Sequence, residues 1–253
     1  MALMLKCGAV FLHVPKTGGS WVTEVLQGCD LVAYEVGAKH GYLDQVLEYP
    51  KIFSQQNFKR CLKRGPFWHQ EVMQAFKFGI VRHPLKWYES WFKYLGGRWE
   101  IHTQNRNNCH KWSMNLLIEE SADDDFNAFV RKLNERCPGF ATRCFDRYFG
   151  PEVNFVGRCE NLVDDLISAL DLCNASYDED RIRNWPRVNE SPCLAGKPKW
   201  DPELKVLVER LEAPGFIKYG YELERFLPPL PGASPAAAGA NGSTAAQSLA
   251  TTN

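Results

Sequence analysis

The run from Cys7 to Gly28 constrains this chain more than any other. Residues 7–14, CGAVFLHV, are apolar and end at Pro15, which reads as a buried strand. KTGGS is a turn, and TGGSWVTEVLQG reads as a helix opened by small polar residues and closed near Gly28. A strand that passes through glycines into a helix N-terminus aims free backbone N–H groups and the positive end of the helix dipole at one point, which suits an anion. Gly18 and Gly19 allow close backbone approach, Lys16 adds a mobile positive charge, and Thr17 and Ser20 add hydroxyls. In a Walker A loop, GxxxxGK[ST], the lysine follows the glycines. Here Lys16 precedes them, so a conventional ATPase or GTPase is disfavoured.

Two further units repeat the strand-to-helix order. FKFGIVR (76–82) reads as a strand broken at His83-Pro84, followed by a helix through LKWYESWFKYLGG. VNFVGR (153–158) reads as a strand followed by the amphipathic helix ENLVDDLISALDLC. Helices are also expected over 119–136, opened by an acidic cluster Asp123 to Asp125, and over 201–213. Alternating strands and helices predict an α/β fold, a P-loop-like parallel sheet flanked by helices in a single domain over 1–227. Residues 228–253 are rich in Pro, Ala, Gly, Ser and Thr and carry no charge, which predicts a disordered tail.

The second chemical signal is Arg82, at a strand end, with Ser90 about two turns into the next helix. A guanidinium fork and a hydroxyl in that order can converge on one phosphate. The two loops together resemble the sulfotransferases that use 3′-phosphoadenosine 5′-phosphosulfate (PAPS). PKTGGSW at 15–21 resembles their 5′-phosphosulfate loop, and Arg82 with Ser90 resembles their 3′-phosphate motif. Arg158-Cys-Glu-Asn-Leu162 is similar to their E-x-L segment. Arg187-Val-Asn-Glu-Ser191, Trp200-Asp-Pro-Glu-Leu204 and Tyr219-Gly-Tyr221 are similar to their C-terminal end. The likeness spans residues 8–225, and HVPKTGG with RHP leans toward the Golgi-type carbohydrate enzymes and their bacterial relatives. It departs from the cytosolic phenol and steroid enzymes in lacking an RKG-type loop, for which Lys197 and Lys199 are the substitutes on offer.

The resemblance implies that Lys16 stabilises the leaving oxygen, that Thr17, Gly18, Gly19 and Ser20 hold the 5′-phosphate, and that Arg82 and Ser90 hold the 3′-phosphate. Trp21 is either an adenine neighbour or a core residue. Transfer to an alcohol also needs a general base. His40, between the two loops, is favoured over His69, with Glu35 and Asp44 as carboxylate alternatives. His13 is expected to be structural and His83 to shape its loop. Trp87, Trp91 and Tyr94 share a helix face and read as core. Trp99 and Trp112 flank the polar segment 102–111, which could line a cleft for a carbohydrate or small-metabolite acceptor.

Net charge is +0, against a histone-like nucleic-acid binder or a polybasic membrane-surface protein. The distribution is uneven: residues 51–111 hold 12 basic and 3 acidic side chains, and residues 112–180 hold 6 and 15. The basic block contains Arg82, where a polyanionic donor needs positive potential. Nine scattered cysteines without a CxxC pair suit free thiols in a reducing compartment, and no metal is expected. No apolar run is long enough to span a membrane, so a cytoplasmic protein is expected. Two alternatives stand beside the sulfotransferase: a P-loop-like small-molecule kinase and a catalytically silent nucleotide-binding relative.

Overall fold

A computed structural model describes residues 2–36, 40–48, 68–95, 114–188 and 198–223. Five strands form one sheet: β1 (Ala2–Leu5), β2 (Ala9–Leu12), β3 (Val32–Val36), β4 (Phe76–Val81) and β5 (Phe155–Arg158), in the order β3-β1-β2-β4-β5. β2 pairs parallel with β4, aligning Leu12 with Gly79, and β4 pairs parallel with β5, aligning Val81 with Arg158. These three strands end on the same side of the sheet.

The expectation of a parallel sheet holds only for that half. β1 runs antiparallel to both β2 and β3. The cause is local. Lys6, Cys7 and Gly8 make a short turn in which Gly8 N–H donates to the Leu5 carbonyl at 3.0 Å. A link that short can only return the chain antiparallel, since a parallel crossover needs a dozen residues or more. The first strand therefore begins at Ala9, and Ala2–Leu5 forms a separate strand beside it.

Strand periodicity sorts the core into two layers. Ala9 and Phe11 of β2, with Leu3, Leu5, Phe78 and Ile80, face α1 (Gly19–Gly28) and α8 (Leu162–Leu172). Val10 and Leu12, with Met4 and Val81, face α4 (Pro84–Leu95) and α6 (Phe126–Arg136). The same layer takes in α7 (Phe140–Asp146) and α10 (Pro202–Lys218). β2 is buried throughout, as a strand covered on both faces must be. Each fully buried Phe or Leu contributes roughly 1.5–3 kcal/mol. The smaller helices are α2 (Leu43–Glu48), α3 (Trp68–Gln74), α5 (Met114–Glu120) and α9 (Glu179–Arg183).

The helix expected over 119–136 is two helices, α5 and α6. The acidic cluster lies between them: Asp125 is the N-cap of α6, accepting the Ala128 N–H at 2.8 Å, and Asp123 accepts the Asp125 N–H. A carboxylate that caps the next turn breaks the preceding one. The helix expected over 201–213 runs from Pro202 to Lys218, with Asp201 as its N-cap. Among the described residues, no helix is long and apolar enough to cross a membrane. The tail expected from residue 228 lies outside the described residues.

Candidate anion-binding site

The loop after β2 enters α1 through Gly18, the N-cap, at φ 87°. That left-handed conformation excludes most side chains. A Cβ on Gly18 would also stand 2.8 Å from Leu162, so the first residue of α8 backs the loop. Gly19 lies against the His13 ring with no room for a Cβ. The loop is thus packed closely against α8 and the His13 ring where it enters α1. The Trp87 indole N–H donates to the Pro15 carbonyl at 3.0 Å, and the Thr17 hydroxyl donates to the Val14 carbonyl at 3.0 Å. Thr17 is fully buried, so its hydroxyl stabilises the loop.

Arg82 leaves the end of β4 and donates from its guanidinium to the Lys16 carbonyl at 3.4 Å. The two loops singled out in the sequence therefore meet. Lys16 has its ammonium 4.1 Å from the centre of the Tyr94 ring, a cation–π contact. Burial, and then repulsion from Arg82, lower the Lys16 pKa to about 8. Two cations held together at a helix N-terminus are a destabilising arrangement unless an anion joins them.

Lys16 and His40 share a backbone peculiarity. Four non-glycine residues among those described have positive φ: Lys16, Asp30, His40 and Asn174. Asp and Asn adopt it readily after a helix end. His, at 61° in His40, is enriched there too, whereas a lysine at 64° is uncommon and marks local backbone strain at Lys16. His40 is fixed on two sides. Its ring lies edge-on to His13 at 4.7 Å, and the Tyr148 hydroxyl donates to its carbonyl at 2.9 Å. His40 Nδ1 is 3.2 Å from the His13 carbonyl oxygen. A carbonyl only accepts, so Nδ1 is the donor of this bond.

The third unit braces the second. Glu160 accepts the His83 backbone N–H at 2.9 Å and the Tyr221 hydroxyl at 2.9 Å. Arg158 donates to the Gly220 carbonyl at 3.1 Å. The E-x-L segment and Tyr219-Gly-Tyr221 thus hold the start of α4. His83 stands between Phe216 and Tyr221, its Nδ1 is buried with no partner among the described residues, and burial lowers its pKa. This environment fits a shaping role. Cys159 Sγ lies in contact reach of the Gly18 position, and Arg82 partly offsets the upward push of burial on its thiol.

The remaining expectations fall as follows. Ser20 and Ser90 are half-buried, Ser20 in the first turn of α1 and Ser90 in the second turn of α4. Trp21 is 6% exposed, packs in the α1–α8 layer and donates to the Pro186 carbonyl at 3.1 Å, so its packing favours the core reading. Trp87 and Trp91 are core, as expected, whereas Tyr94 on the same helix also meets Lys16. Glu35 is exposed on edge strand β3, and Asp44 is exposed and pairs with Arg147 at 3.7 Å. The side chain of His69, and Lys197, Trp99, Trp112 and segment 102–111, lie outside the described residues. Lys199 is exposed, and its carbonyl accepts from Asn127. Tyr94, Tyr148, Leu162 and Glu160 were not singled out as site residues in the sequence. Only the Glu160 motif carried a signal, because an aromatic or Leu beside a loop looks like any core residue.

Among the described residues, no group of three or more His, Cys, Asp and Glu is placed to hold a metal ion. In comparisons with known proteins, the chain matches no family model, no curated protein and no solved structure.

Proposed function

We propose that the chain is a PAPS-dependent sulfotransferase acting on a hydroxyl of a carbohydrate or small metabolite, with a P-loop-like fold. The observation that carries the reading is the tie between Arg82 and Lys16, which joins two cationic loops at the N-terminus of α1. A donor with phosphate at both its 3′ and 5′ ends needs two such loops at once. Lys16 and the N–H groups of residues 17–20 would hold the 5′ end, and Arg82 with Ser90 the 3′ phosphate. The donor supplies an activated sulfuryl group.

The protein's work is positioning and charge neutralisation, as in phosphoryl transfer. The acceptor oxygen forms a bond to sulfur while the bond from sulfur to the 5′-phosphate oxygen breaks. The acceptor proton goes to His40 Nε2, and the charge left on the phosphate is balanced by Lys16. Burial and Arg82 lower the Lys16 pKa to about 8 in the free site, and a polyanion beside it favours the charged form, so charge stabilisation concentrates where the reaction needs it.

The test pairs binding with turnover. Adenosine 3′,5′-bisphosphate should raise the melting temperature more than ATP with Mg²⁺ does. Protein, PAPS and a metabolite or oligosaccharide extract should give products heavier by one sulfate in mass spectrometry. Stabilisation by ATP with Mg²⁺ alone would turn the reading to a kinase. Bisphosphate binding without transfer to any acceptor would turn it to a silent binding module.

A further inference from the structure

On the side of the sheet away from the loops, the β1–β2 turn meets the C-terminal end of α8. There the Cys7 and Cys173 sulfurs are 3.5 Å apart, although 166 residues separate them in sequence. We propose that Cys7 and Cys173 are a reversible oxidation site, in which a peroxide converts the two thiols to a disulfide.

Three observations support the pair. First, sulfurs in contact need to close by only about 1.5 Å to reach bonding distance. Cys7 lies in the exposed turn 6–8, and Cys173 is the C-cap of α8, so neither is inside a strand or helix. Second, access differs between them. Cys7 is exposed, and a surface hollow of about 470 Å³, lined by Lys6, Cys7, Cys29 and Asn174 among others, opens beside it. Third, Cys173 is half-buried and its S–H donates to the Leu170 carbonyl at 3.3 Å. Burial and the neighbouring Cys7 push its thiol up to about 12.

These differences divide the roles. The exposed Cys7 sulfur attacks one peroxide oxygen and breaks the O–O bond, giving Cys7 sulfenic acid and one water once the leaving oxygen is protonated. Cys173 sulfur then attacks the Cys7 sulfur, its proton leaves with the displaced hydroxyl as a second water, and the disulfide forms. Two thiols lose two electrons and two protons, and one peroxide becomes two waters. A thiol that holds its proton is a slow first nucleophile, but it resolves a sulfenic acid already in contact with it.

The full chain is treated with hydrogen peroxide, its free thiols are blocked with N-ethylmaleimide, and it is digested without reductant. The expected result is a linked Cys7–Cys173 peptide, loss of both free thiols, and their recovery with dithiothreitol. In Cys173→Ser the resolving thiol is gone, so dimedone should trap sulfenic acid at Cys7, whereas the unsubstituted chain should show little trapping. Circular dichroism checks that the variant is folded, and the linked peptide from the unsubstituted chain does not depend on any variant. Cys7 linked to Cys29 or to a second chain, or dimedone labelling equal in both proteins, would overturn the proposal. So would Cys7 and Cys173 both staying free.

Discussion

The guanidinium of Arg82 donates to the backbone carbonyl of Lys16, 66 residues earlier in sequence, across 3.4 Å. This one bond joins the end of β4 to the glycine loop after β2. It follows from the parallel pairing of β2 with β4, which ends both strands on the same side. It also places a fixed charge beside a lysine whose pKa falls to about 8, chiefly through burial.

An anion that binds between these groups should therefore be taken up together with a proton. Free Lys16 is partly neutral near pH 8, and an anion raises its pKa. Calorimetric titration with adenosine 3′,5′-bisphosphate at pH 8, in buffers of different ionisation enthalpy, should give proton uptake that shrinks toward pH 6.5. Lys16→Met should abolish it. The stability sign follows the same logic. A lysine pKa lowered in the folded state costs stability while the group is charged, below about pH 8, and that cost is relieved as pH rises toward the unfolded value.

Arg82→Ala removes both the loop tie and the repulsion. Lys16 should regain proton affinity, so its acylation by an amine reagent at pH 8 should slow relative to the unsubstituted chain. Bisphosphate affinity should fall by about 1.5–3 kcal/mol, the range for a hydrogen bond to a charged group. Faster acylation of Lys16 would show that Arg82 shields the lysine rather than repelling it.

Gly18→Ala should destabilise the fold by roughly 1–3 kcal/mol in urea unfolding, because a left-handed residue acquires a Cβ. Leu162→Ala removes the nearest side chain but leaves φ unchanged. Adding it to Gly18→Ala should recover only part of the loss. Complete recovery would assign the whole effect to the Leu162 contact.

Buried Glu212 is the strongest candidate for a purely structural role. Its carboxylate accepts from the Ala141 and Thr142 N–H groups at 3.0 and 2.8 Å and from the Tyr88 hydroxyl at 2.5 Å, which ties α10 to the start of α7 and to α4. Glu212→Ala leaves those donors unsatisfied and should cost about 3 kcal/mol or more. Burial raises the Glu212 pKa above the usual carboxylate value. The folded state therefore holds the proton more tightly, and this group's contribution is full below the unfolded pKa and is lost as pH rises through the folded one. Glu212→Gln should flatten that part of the stability-against-pH curve.

The strands and helices whose periodicity is local are legible in the sequence. β4, α4, β5 and α8 lie within a few residues of their expected bounds. β3 and the antiparallel place of β1 are not legible there, because pairing direction depends on a three-residue turn rather than on composition. Nor is α7, whose N-terminus is satisfied by Glu212 from 70 residues away, a signal no local window contains. The meeting of the two loops was legible because each sits where a strand ends. The contact of Tyr94 with Lys16 was not, since the spacing that puts Tyr94 on the face of Trp87 and Trp91 also describes a core residue.

His40 tests the chemistry apart from binding. Its Nδ1 lies 3.2 Å from the His13 carbonyl oxygen, and in the proposed reaction Nε2 takes the acceptor proton. His40→Ala should lower kcat by about 10²–10⁴, the usual range for a lost general base, with bisphosphate affinity nearly unchanged. The limb of the pH–rate profile that falls toward acid, where a protonated imidazole cannot accept, should vanish with it. His13 meets that ring with its main-chain oxygen and with its own ring edge, and His13→Asn keeps the oxygen, so it should keep the limb even if activity drops. A retained limb in His40→Ala would move the base to another group. Equal losses of kcat and affinity would make His40 a contact of the donor.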